Sequence, residues 1–256
     1  MSDTALVVDQ IRFEQRAYWR NPAAAFFTFA FPVVLFVILT AFAGGQTDNE
    51  QLGQGVKLSQ YYTPSILAYG IMSACFLSMA LAVVRQRESG LLKRYRGTPL
   101  PAWVLVAGLV GSAIIVAVLM TVIVVAVAEL GYGVHLPASH LLPLAVAIIV
   151  AALAFCALGI AVSAVIPNAD AGPAIVNLPF FILVFISGTY FPISGTLAHI
   201  AAWLPLRPFI LLLYRAFTPH PAGGVWSVTD LRNVAIWGVV ATVFAARHFR
   251  WSPRHR

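Results

Sequence analysis

Long uncharged apolar runs alternate with short polar breaks along the chain, and six runs stand out: residues 23–43, 61–84, 102–128, 141–165, 171–191 and 231–249. Each is close to the roughly 20 residues that a helix needs to cross about 30 Å of hydrocarbon. Their apolar positions are continuous rather than alternating, which argues against a β-barrel. The pattern predicts an all-α integral membrane protein with six transmembrane helices. The last run is the weakest, with Arg232 and Arg247 near its edges.

Two further stretches have a different rhythm. In residues 6–22, Val7, Ile11 and Tyr18 share one helical face, with Val8 and Trp19 at its shoulder. Arg12, Arg16 and Arg20 line the opposite side. An apolar face opposite an Arg-rich face predicts an interfacial helix in the headgroup plane, although a solvated cytoplasmic helix would share the pattern. Asn21-Pro22 ends it. Residues 192–219 are apolar but broken at Pro192, Gly195, Pro205, Pro208 and Pro219. The unbroken pieces are too short to span, which predicts a re-entrant or interfacial helical pair protected by protein or lining a wet cavity. Within the fourth run, Ala154, Ala157, Gly159, Ala161 and Ser163 have the small-residue spacing that lets helix backbones approach closely.

Composition agrees with the pattern: 60% of the 256 residues are apolar and 10% are charged, against about 45–50% and about 25% in soluble domains. Charge then sets orientation. Residues 85–100 carry Arg85, Arg87, Lys93, Arg94 and Arg96 against Glu88, between the second and third runs. The positive-inside rule puts this segment on the cytoplasmic face. With six spans, the same side also holds Arg12, Arg16, Arg20, Arg247, Arg250, Arg254 and Arg256, whereas the outer side holds only Lys57, Arg207, Arg215 and Arg232. Both termini are then cytoplasmic. The formal net charge of +7 reflects topology rather than nucleic-acid binding. No cleavable signal peptide is expected, because Asp3 and Asp9 precede the first run and no small-residue cleavage site follows it.

Chemistry-bearing motifs are missing from the sequence. There is no GxxxxGK[ST] phosphate loop, HExxH, GxSxG or Cys/His cluster, so neither nucleotide binding by a phosphate loop nor a metal site is expected. Cys75 and Cys156 read as buried apolar thiols. No carboxylate falls in the middle of a run, whereas a proton-driven pump normally needs an intramembrane relay. A chain with spans and no engine needs a partner that supplies work.

The segment Arg87-Glu88-Ser89-Gly90-Leu91-Leu92-Lys93-Arg94-Tyr95-Arg96-Gly97-Thr98-Pro99-Leu100-Pro101 resembles the loop after the second span of type-2 ABC-transporter permeases. That loop commonly reads as an acid, a Gly, a short amphipathic helix and Thr-Pro-Leu. Arg16-Ala17-Tyr18-Trp19-Arg20-Asn21-Pro22 is similar to the family's entry into span 1. Phe185-Ile186-Ser187-Gly188-Thr189-Tyr190-Phe191-Pro192, followed by Trp203-Leu204-Pro205-Leu206-Arg207-Pro208, is similar to its ending of span 5. One departure is Gly90-Leu91-Leu92, where many members have Gly-Thr-Leu.

The resemblance, to drug- or lipid-exporting members of the daunorubicin-resistance kind, implies a multi-pass protein of the bacterial inner membrane. It implies a homodimer or heterodimer with a second permease chain, in contact with membrane lipid and driven by two copies of a cytoplasmic ATPase that binds ATP and magnesium; none of that cofactor chemistry is expected in this chain. Carried onto this sequence, Arg87, Glu88, Gly90, Leu91, Leu92 and Tyr95 would form an ATPase-coupling helix, with Thr98-Pro99 returning the chain to the membrane. Apart from the resemblance, Gly90 and Pro99 bracket a short helix whose Leu92 and Tyr95–Arg96 neighbourhood offers an apolar knob within a basic rim. The re-entrant pair would form an outer gate with Tyr190, Phe191, Trp203, Pro205 and Arg207.

The fifth run carries the candidate substrate pathway: Asn177, Pro179, Phe181, Phe185 and Gly188. Asn177 is an amide in apolar surroundings, so it either bonds across helices or faces a cavity. The expected function is outward movement of an amphipathic or lipophilic substrate. A polysaccharide or glycolipid permease of the same family, a non-transporting scaffold, and a membrane-embedded lipid-modifying enzyme using Glu129, His135 or Asp170 are the alternatives.

Overall fold

The computed structural model describes residues 3–42, 58–97, 101–191, 193–218, 220–221 and 223–248, and every regular element among them is helical. Helix α1 (Asp3–Trp19) stops where Asn21-Pro22 intervenes. Pro22 then opens α2 (Pro22–Ala25), the first-turn position where its missing N–H is harmless. The same rod continues through a π turn (Phe26–Ala30) into α3 (Phe31–Phe42). The π turn lies just ahead of Pro32, which has no N–H to donate one turn back.

The second rod is built likewise from α4 (Leu58–Met72), a π turn (Ser73–Leu77) and α5 (Ser78–Glu88). The N–H of Ser78 donates to the Ser73 carbonyl that the wider turn offers, and so does its hydroxyl at 3.2 Å. Counted as one helix, Ser59–Glu88 is 30 residues long. The sequence pattern ends this span at 84, but the structure continues it through Arg85–Glu88. Gly90, at φ 72°, then turns the chain into the short α6 (Leu91–Arg96).

Helix α7 (Ala102–Tyr132) ends at Gly133, which takes the left-handed conformation typical of helix ends. After a 3-10 turn (Ala138–His140) come α8 (Leu141–Ser163) and α9 (Gly172–Ile186). Helices α10 (Gly195–Ala201) and α11 (Leu206–Phe217) are bent from one another by 96° at the Trp203-Leu204-Pro205 break. Helix α12 (Val228–His248) follows.

Among the described residues, four helices are long and apolar enough to cross a membrane, or five if the bent pair is one broken span. The runs predicted as spans 1 and 5 contain shorter apolar helices, Phe26–Ala41 and Gly172–Ile186. The latter is about 22 Å long at 1.5 Å per residue, short of a full crossing by itself.

Helix α8 sits at the centre, and small residues decide what it touches. A Cβ on Gly159 would lie 2.7 Å from the Phe76 carbonyl oxygen, so the second rod's π turn rests directly on α8. A Cβ on Gly238 would lie 3.1 Å from the Ala154 backbone, and Ala161 packs with Ala241 and Ala245. The small-residue spacing thus serves two neighbours, α5 on one side and α12 on the other.

Helix α1 packs along α7. Its Arg12, Arg16 and Arg20 are exposed, but its most buried residues are the polar Gln10 and Glu14, and Val8 and Trp19 are exposed. The cause is on α7, where Gly108 and Gly111 make seats for Gln10 and Ile11. Gln15 Nε2 donates to the Ser112 carbonyl at 2.9 Å and lies 3.0 Å from its hydroxyl. The helix is docked onto α7 by these glycine seats together with the Gln15–Ser112 contacts.

Candidate functional site

Two of the basic residues at the start of the α5–α6 elbow behave oppositely. Arg87, 2% exposed, points inward and donates from Nη1 to the Ser163 carbonyl (3.1 Å) and from Nη2 to the Ile166 carbonyl (2.6 Å). It therefore caps the end of α8, where carbonyls lack helical partners and the helix dipole favours a cation. Arg85 is exposed on the other side of the same turn. Glu88, Ser89 and Arg94 are also exposed, and Leu91 is half-buried. Leu92 turns inward instead of forming an outward knob: it is 1% exposed and belongs to the chain's own core. One and a half turns of helix cannot aim both leucines outward, and the deeper one completes the packing under α6. Tyr95 lies on α6, while Thr98 and Pro99 fall outside the described residues.

A cavity of about 740 Å³ opens between α1, the first rod, the second rod, α7 and α9. Its end nearest α6 is polar, with Glu14, Asn21, Arg85 and Gln86; farther along come Ser73, Ser78 and Asn177; aromatics (Phe27, Phe31, Tyr69, Phe180, Phe181, Tyr190) complete it. Asn177, half-buried, lines the cavity and makes no side-chain hydrogen bond among the described residues. Phe181 is 47% exposed and also lines the cavity. Tyr69 meets Phe180 edge-on at 5.4 Å and Tyr190 at 6.4 Å, which fixes the aromatic wall. Pro179, Phe185 and Gly188 do not line it.

Glu14 is held at this polar end by Gln10 Nε2 (3.0 Å) and by Gln86 Nε2, which is 3.1 and 3.2 Å from its two carboxylate oxygens. Burial pushes its carboxyl above the ordinary value, against the smaller opposing pull of the bonds from Gln86 and Gln10. Sequence patterning alone does not mark Glu14, Tyr69, Ser73, Arg85 or Gln86 as site residues. Tyr69 and Ser73 are one turn apart and Gln10 and Glu14 likewise, so a polar stripe on each helix was the available signal.

The turn after α9 forms a second cluster. Gly188, at φ 76°, has its carbonyl accept from the Tyr61 hydroxyl at 2.6 Å, and Arg207 Nη1 donates to the Ser187 carbonyl at 3.3 Å. A Cβ on Gly188 would meet Arg207 Nη1 and Ile193 at 3.0 Å. The fifth predicted run is thereby tied to the second rod and to α11. Around this cluster Pro205 is buried, Tyr190 is half-buried, and Phe185, Phe191 and Trp203 are exposed. The Trp203 carbonyl accepts from Trp237 Nε1 at 2.6 Å, linking the bend to α12.

Glu129 and His135 lie 3.8 Å apart, exposed, before α8, and Asp170 is exposed beyond its far end. Helix α8 is about 35 Å long, so the three do not form one site. No group of three His, Cys, Asp or Glu suited to a metal occurs among the described residues. Cys75 and Cys156 are both free and buried.

Long apolar helices packed around a small-residue core, with a basic elbow and an amphiphile-sized cavity, define a polytopic helical membrane protein. A family model described as ABC-2 type transporter matches residues 10–215, from α1 into α11. The chain belongs to that family, and so is a membrane subunit of an ABC transporter. No curated protein matches it.

Proposed function

We propose that the chain is the permease subunit of an ABC exporter that moves an amphipathic or lipophilic molecule, a drug or lipid, outward. The observation that carries this reading is the cavity: about 740 Å³, aromatic over much of its wall and polar at the end nearest α6. A volume in this range suits a small amphiphile. In this reading the shorter apolar helices Phe26–Ala41 and Gly172–Ile186 act with their flanking turns as spans 1 and 5, giving six spans with both termini cytoplasmic in a bacterial inner membrane. A second permease chain, identical or related, closes the open side of the cavity.

Energy comes from a separate cytoplasmic ATPase, present in two copies, which binds ATP and magnesium. It grips the elbow through the exposed Glu88 and Arg94 with Leu91 beside them, and the second rod, continuous from Ser59 to Glu88, carries the displacement to the cavity wall. Coupling requires that this contact differ between two states of the ATPase. The turn clamped by Tyr61 and Arg207 serves as the outer closure.

The test is co-purification with the ATPase and reconstitution. Replacing Glu88 with Ala should lower cargo-stimulated ATP hydrolysis while leaving the chain folded. Unchanged hydrolysis, or cargo movement by the chain alone, would reject the reading.

A further inference from the structure

Resting on the amphiphile pathway just proposed, we infer that the cavity's polar end reads a zwitterionic head group, its anion on Arg85 and its cation on Glu14. Among the described residues lining the cavity, these two carry the formal charges. Both line the same cavity, and sequence neighbours link them: Gln86, next to Arg85 in the chain, bonds both carboxylate oxygens of Glu14. Yet they do not pair with each other. The ion pairs among the described residues are Arg12–Asp9, His135–Glu129 and Arg215–Asp230, and the Arg85 guanidinium has no hydrogen-bond partner among them.

Opposite charges in one cavity, not paired with each other, leave two needs for a ligand to meet. A desolvated carboxylate is costly without a cation, and a guanidinium offers a fork suited to phosphate or carboxylate. A purely anionic head would satisfy Arg85 and be repelled by Glu14; a purely cationic head would do the reverse. A head with both charges satisfies both. The tail then lies along Tyr69, Phe180 and Phe181.

The test is binding to the purified full chain in neutral maltoside micelles, with three probes sharing one fluorescent tail: lysophosphatidylcholine, lysophosphatidylglycerol and an alkyltrimethylammonium. The zwitterion should bind tightest, and Arg85→Gln and Glu14→Gln should each weaken it about tenfold, the scale of one lost charge-assisted contact. Arg85→Gln should also bring the cationic probe up to the strength of the zwitterion, and Glu14→Gln should do so for the anionic probe; such gains exclude misfolding. Phe181→Ala should weaken all three alike. Equal binding of the three probes, or no change of preference in the two variants, overturns the head-group assignment. Should Phe181→Ala still weaken them, the pathway survives that failure; loss of binding by every probe in the wild-type chain overturns both.

Discussion

Arg87 is the residue whose replacement separates a structural role from a coupling role most sharply. It lies 2% exposed in the last turn of α5 and holds the Ser163 and Ile166 carbonyls at 3.1 and 2.6 Å. Hydrogen bonds from a charged donor contribute roughly 1.5–3 kcal/mol each, and an unpaired buried carbonyl costs about 1–3 kcal/mol. Against this, removing the buried cation relieves its own desolvation, a matter of several kcal/mol. Arg87→Met, which keeps the stem volume, should therefore cost about 2–4 kcal/mol. Arg87→Lys keeps the charge and one bond but loses the fork, for about half that loss. The assay is reversible unfolding of the purified chain in mixed micelles, followed by tryptophan fluorescence with the ATPase absent. Equal stability of all three chains would refute the capping role; a defect seen only with the ATPase present would place Arg87 at the partner contact instead.

Three further outcomes are expected. Gly159→Ala should destabilise by about 1–3 kcal/mol, because its Cβ would press on the Phe76 carbonyl at 2.7 Å; an unchanged unfolding midpoint would disprove that contact. Gly90→Ala meets no neighbour within 4 Å but must hold φ 72°, a strain of about 1–2 kcal/mol. It should misdirect α6 and lower cargo-stimulated hydrolysis with the membrane helices intact by circular dichroism; full stimulation would count against the elbow. Because burial raises the Glu14 carboxyl above its ordinary 4.5, the folded chain holds that proton more tightly than the unfolded one. Its stabilising effect is complete at low pH and is lost as pH rises through the raised value. Wild type should thus lose stability relative to Glu14→Gln over that window, and a pH-independent difference between the two would rule it out.

The helical class and the long spans were legible because uncharged runs of that length have few other solutions, and the small residues of α8 announced close packing through Ala154, Gly159 and Ala161. The break at Pro205 was equally plain. Harder to see was Arg87 apart from Arg85: both belong to one basic run, and only the helical continuation past residue 84 turns one inward and leaves the other exposed. The docking of α1 was hidden for a related reason. Its apolar face suggested lipid, but the partners of Gln10, Glu14 and Gln15 include glycine and serine positions on α7, about a hundred residues away, and no local pattern records them. Asn177 takes its place on the cavity only once α9 is set beside Tyr69 and the first rod.

The most direct measurement is flux of a fluorescent-tailed amphiphile into inverted proteoliposomes holding this chain and its co-purified ATPase, with and without ATP. Uptake that needs ATP, and that falls in Glu88→Ala while the ATPase stays bound, is the expected result. Equal uptake in the absence of nucleotide would contradict an externally driven permease outright.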